Sequence, residues 1–134
     1  MPGYSGTPLV QKIGIQDGFK VFAINPPSDY QKLLAPMPAD VEFVSKASAT
    51  TNVVHLFTVK RNELAKVLMS LRKSLAPDAI VWVSWPKKSS KVETDITENV
   101  IRNVALPMGW VDIKVCAVTD VWSGLKLVVR KELR

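Results

Sequence analysis

Residues 52–59 (NVVHLFTV) and 79–85 (AIVWVSW) are apolar without the alternation that marks a half-exposed strand. A strand of that kind must be covered above and below, which is the condition of a parallel sheet held between helix layers. The segment between the two supplies such a cover. Leu64, Val67, Leu68, Leu71 and Leu75 recur at spacings of three and four and form one apolar stripe of a helix, which Pro77-Asp78 ends. This strand–helix–strand unit predicts an α/β fold.

The rest of the chain extends the pattern. Thr7-Pro8 suits a helix start, with a hydroxyl cap and a proline at the first helical position; Leu9, Val10 and Ile13 give an apolar face, and Gly14 ends the helix. A first strand is expected over 20–25, stopped by Asn25-Pro26-Pro27 because neither proline donates to a ladder. Ser28 or Asp29 can cap a short helix to Leu34, and a second strand follows over 41–45. Between it and the strand at 52–59 lie only residues 46–51, too few for a full crossover, so the helix expected there is degenerate or missing. Asp95 with Glu98 reads as a capping box for a helix to about Leu106. Strands over 110–118 and 125–131 are joined too closely for a crossover and form an antiparallel hairpin. The expectation is one three-layer Rossmann-like domain over 1–134, with about six mostly parallel strands, a C-terminal antiparallel hairpin and a loose arm at 1–6.

Composition agrees with one domain: 134 residues, of which 47% are hydrophobic and 22% charged. The longest unbroken apolar run, 79–83, is far short of the ~20 residues that span a bilayer, so no membrane partner is expected. The first twenty residues lack a hydrophobic signal core, and a cytoplasmic setting is expected. One histidine and one cysteine leave no multi-ligand zinc site. His55 sits inside an apolar strand and reads as a core or half-buried residue, and Cys116, mid-strand, as an inert buried thiol.

The strand and helix order resembles the sheet of S-adenosylmethionine-dependent methyltransferases with one strand–helix unit missing, and Ile13-Gly14-Ile15-Gln16-Asp17-Gly18 is similar to the approach to their first strand. The chain also resembles a small bacterial family of Rossmann-like architecture at Gly6-Thr7-Pro8-Leu9, Trp85-Pro86-Lys87-Lys88-Ser89, Thr94-Asp95 and Trp122-Ser123-Gly124-Leu125-Lys126. That resemblance implies a fold and carries no activity with it. Asn25-Pro26-Pro27 is also similar to the start of the Asn-Pro-Pro-aromatic motif of adenine amino-methyltransferases. Ser28 stands where the aromatic belongs, however, and the motif follows the first strand instead of the fourth.

Glycine usage argues against an ordinary cofactor cradle. No glycine lies between residues 19 and 108, and the turn after the first strand contains two residues without an N–H. Ser45-Lys46 stands where an acid would hold ribose hydroxyls. No cofactor is therefore expected.

Charge points elsewhere. The net charge is +6, and the whole excess lies after residue 59. In open α/β sheets ligands bind beyond the carboxyl ends of the strands, where strand order reverses. That edge should carry Asn25, Lys60, Arg61, Trp85, Lys87, Lys88 and Ser89, the helix start at Thr94-Asp95, and Trp122 and Ser123 from the final turn. Lysines there would supply charge, tryptophans stacking or packing, and Ser89, Thr94 and Ser123 hydrogen bonds. Cations at Lys60-Arg61 oppose the dipole of the helix they start unless an anion relieves them. The leading expectation is a non-catalytic module for an anionic small molecule or nucleic acid. A solvated basic surface with both tryptophans in the core remains open. So do a reduced methyltransferase with an atypical S-adenosylmethionine site and a protein-interaction subunit.

Overall fold

The computed structural model describes residues 7–134, and the expected arm at 1–6 lies outside the described residues. Six strands form one sheet in the order β2-β1-β3-β4-β6-β5: β1 Lys20–Ile24, β2 Glu42–Phe43, β3 Val53–Phe57, β4 Ile80–Pro86, β5 Trp110–Ala117 and β6 Trp122–Val129. β1, β2, β3 and β4 pair in parallel, while β6 runs antiparallel to both β4 and β5. The α/β class, the strand number and the C-terminal antiparallel pair are those the sequence predicts.

Helices cover both faces. α3 (Arg61–Ser74) and α4 (Glu98–Ala105) lie over one, burying Leu64, Leu68, Leu71, Ile101 and Val104 against Val54, Leu56, Val81, Val83, Leu125 and Leu127. The five-residue helices α1 (Leu9–Ile13) and α2 (Tyr30–Leu34) lie over the other, with Val10, Ile13, Tyr30 and Leu34 packed on Val21, Val53, Phe57 and Trp82.

Several local expectations shift. α1 begins at Leu9, with Pro8 just before it and the Pro8 carbonyl accepting from the Gln11 and Lys12 amides; Gly14, at φ 90°, ends it as expected. Asp29 precedes α2 but makes no side-chain capping bond. α4 starts at Glu98, not Asp95, because Thr97 accepts the Val100 amide at 3.2 Å. β6 begins at Trp122, three residues early, so Ser123 and Gly124 sit in the ladder opposite Trp85 and Ser84 and not in a turn. The close approach there requires glycine: a Cβ at 124 would lie 2.9 Å from Val118 Cγ2 and 3.2 Å from the Trp82 ring. Residues 44–52, between β2 and β3, contain turns and no helix. Val67, expected in the buried stripe of α3, is only half-buried.

Candidate functional site

Strand order reverses between β1 and β3, since β1 leads outward to β2 and β3 leads the other way to β4. The carboxyl ends of these strands are therefore the place where the fold exposes main-chain ends and loops to a ligand.

At β1 the chain turns through Asn25 at φ 54°, a left-handed conformation that asparagine tolerates better than most side chains. Its amide Nδ2 donates to the Phe57 carbonyl at 3.3 Å and to Glu63 Oε1 at 3.4 Å, bridging β1 to the β3–α3 junction. Pro26 and Pro27 follow, with no N–H to offer. At the end of β3 the Thr58 hydroxyl donates to Glu63 Oε1 at 2.5 Å. Asp95 Oδ1 accepts the Arg61 amide at 2.7 Å, and the Thr94 hydroxyl donates to the Val59 carbonyl at 2.7 Å.

The first turn of α3 is thus capped by a carboxylate from a distant loop. Asp95, through that bond, and Glu63, in the first turn, bring negative charge to the helix start that carries Lys60 and Arg61. Lys60 and Arg61 remain exposed at the edge.

The remaining expected residues share the edge but not one pocket. Trp85 and Trp122 lie on opposite faces of the sheet. Trp85, 7% exposed, belongs to the α3–α4 core, while Trp122 sits edge-on to Phe57 at 5.2 Å on the α1–α2 side. The reason is register: Trp85 pairs with Ser123, and Trp122 with Pro86. Ser123 is half-buried within β6. The Lys87 amide donates to the Val121 carbonyl at 2.7 Å, and Lys88 and Ser89 are exposed in a 3-10 turn over Lys88–Ser90. A groove of about 410 Å³ runs over Trp85, bounded by Lys88, Lys91, Thr94 and Thr97.

A larger groove, about 520 Å³, opens above the ends of β1 and β2. It is lined by Ala23, Pro26, Pro27, Ser28, Asp29, Tyr30, Gln31, Lys32, Phe43 and Val44. The expected set includes none of these. Their signal in the sequence was faint, a polar turn and one aromatic after a strand stop.

Beneath its Tyr30 wall lies a buried polar chain. Tyr30 Oη is 2.7 Å from His55 Nδ1, and His55 Nε2 is 2.7 Å from Ser84 Oγ. Burial drives the imidazole down to about 3 and pushes the Tyr30 phenol upward, so both are neutral at physiological pH. His55 is buried, as expected. Cys116 is half-buried, and burial raises its thiol.

The arrangement does not fit the usual main-chain cradle for S-adenosylmethionine. The turn after β1 offers prolines where N–H donors are needed, the Asn25 amide is committed to Phe57 and Glu63, and Ser45-Lys46 follows β2. The neighbouring groove of about 520 Å³ offers side-chain donors and acceptors at Ser28, Asp29, Gln31 and Lys32.

No protein-family model matches the chain, and no curated protein matches it by sequence. Solved structures do match. One is a S-adenosylmethionine-dependent methyltransferase from Aquifex aeolicus, with TM-score 0.64 and 13% identity, covering 90% of this chain and 87% of that one. Another is the fibrillarin pre-rRNA processing protein of Methanococcus jannaschii, at TM-score 0.58 and 10% identity, covering 92% and 69%. A third is the ribosomal protein L11 methylase of Lactobacillus delbrueckii subsp. bulgaricus, at TM-score 0.54 and 8% identity, covering 90% and 74%. At such identities the likeness is one of fold. The chain has the Rossmann-like fold of S-adenosylmethionine-dependent methyltransferases, in a reduced six-stranded form. Among the described residues no helix is long and apolar enough to cross a membrane.

Proposed function

We propose that this chain is a reduced methyltransferase-type protein that binds a nucleoside-bearing ligand of the S-adenosylmethionine class in an atypical pose. The site is the groove above the ends of β1 and β2. The carrying observation is position: the largest cavity among those described opens beside the strand-order reversal, in a fold shared with solved methyltransferases. Its chemistry supports the same class. The Phe43 ring and Pro26-Pro27 offer an apolar bed, Asp29 a carboxylate for ribose hydroxyls, and Gln31 and Lys32 polar groups at the mouth.

The test is titration calorimetry with S-adenosylmethionine and S-adenosylhomocysteine, beside thermal unfolding. The expected result is saturable heat, a raised midpoint, and about tenfold weaker binding in Asp29→Ala, since a ligand at 100 times its Kd stabilises the native state by about 2.7 kcal/mol. Absence of both heat and stabilisation at millimolar ligand overturns the proposal.

A second reading, the non-catalytic module for an anionic ligand, draws on the groove over Trp85, where Lys88 and Lys91 stand at the mouth with Lys87 beside them. In that case Lys87→Ala/Lys88→Ala loses most retention on phosphate or nucleic-acid matrices at matched ionic strength. Unchanged retention removes it.

A further inference from the structure

Parallel strands joined by right-handed crossovers place their helices on a face set by the direction of travel. Here β1 to β2 runs one way and carries α2 on one face; β3 to β4 runs the other way and carries α3 on the opposite face. The connection from β2 to β3 travels in the same direction as β3 to β4, so its helix belongs beside α3, over β1. That connection contains no helix.

The vacancy has a physical outline. Phe22 and Ile24, on an interior strand of the sheet, are only half-buried, and so is Val67 of α3. With Ala47 and Leu71 they line a groove of about 340 Å³ between α3 and the β2–β3 connection.

Its charge selects the occupant. Lys46 lines the groove on the side of the connection, and Lys66 and Lys73 lie on α3 next to the Val67–Ser70–Ser74 stripe, two turns apart and exposed. Lys20 lies on the same face of β1 as Phe22 and Ile24, with Glu42 beside it in register. Glu63, the acid of that α3 stripe, is bonded to Thr58 and Asn25.

We infer that this groove docks an amphipathic helix with acidic flanks, supplied by a different polypeptide, which takes the place of the absent crossover helix. Apolar side chains at i, i+3 or i+4 and i+7 seat against Phe22, Ile24 and Val67, and the flanking acids meet the lysines. The inference stands apart from the ligand proposal, because this groove opens on the α3 face whereas Tyr30 and Phe43 line the other from the α2 face.

The probe is a synthetic helix of about eighteen residues with leucines at that spacing and glutamates elsewhere, long enough to hold helical structure, compared with its lysine-flanked twin. Binding is followed by amide shifts in the isotopically labelled protein. The glutamate peptide should bind more tightly and shift Phe22, Ile24 and Val67. Lys46→Glu/Lys66→Glu/Lys73→Glu, which changes only exposed side chains, should reverse the preference between the two peptides by about tenfold or more. Val67→Asp should abolish both. Equal binding of the twins, no binding of either, or shifts centred elsewhere overturns the inference. So does concentration-dependent self-association that the triple variant removes, since the occupant would then be a second copy of this chain.

Discussion

On one face of the sheet, helices of fourteen and eight residues pack down mainly through leucine, isoleucine and valine, with Trp85 and Trp110 beneath them. On the other, two helices of five residues do so with aromatic rings and side-chain hydrogen bonds: Tyr30 to His55, His55 to Ser84, and Trp82 Nε1 to the Ile13 carbonyl at 2.8 Å. A single helical turn has almost no stability of its own. The comparison teaches that a long amphipathic helix draws most of its hold from an apolar stripe, with polar bonds at its ends and rim, whereas a short one is pinned to the sheet by a bond in the core.

The largest way to break the contrast is on the apolar side. Leu68→Ala, at a fully buried site, should cost about 2–5 kcal/mol in urea unfolding, with no pH dependence of the loss. Next comes the polar side. His55→Phe keeps a ring on Phe57 but strands the Tyr30 and Ser84 hydroxyls, and should cost about 1–3 kcal/mol at neutral pH.

Acid sharpens the difference. The folded-state pKa of His55 lies below its unfolded value of 6.5, so its contribution is complete above that pH and fades as pH falls toward about 3. Wild-type stability should drop by about 1.4 kcal/mol per pH unit in that window, over and above the carboxylate contribution, and His55→Phe should lack this slope. An equal slope in both proteins would mean that the imidazole is not held neutral. The smallest effect expected is Asp95→Ala, which removes the cap on α3 and should cost about 1 kcal/mol by the same unfolding assay.

What could be read from sequence follows the same division. The stripe of α3 and the doubly apolar β3 and β4 are local patterns, and they locate the sheet and the face that carries its longest helix. The bond between Tyr30 and His55 joins positions 25 apart, which no periodicity connects. Asp95 and Glu98 do have capping-box spacing, but Thr97 is better placed for α4, and Asp95 reaches back to Arg61. In the candidate site, the edge was legible because parallel strands end together. The separation of Trp85 from Trp122 was not, because the face each occupies depends on the register of β4 against β6, two strands far apart in the chain.

The reach of Asp95 into α3 has a kinetic consequence. The loop over 87–97 cannot swing away from the strand ends without taking with it the acceptor of the Arg61 amide and the hydroxyl bonded to Val59. Loosening of the loop therefore uncaps the first turn of α3, and hydrogen exchange at Arg61 should report that opening. A molecule entering over Trp85 that held the loop down would slow that exchange without touching the helix.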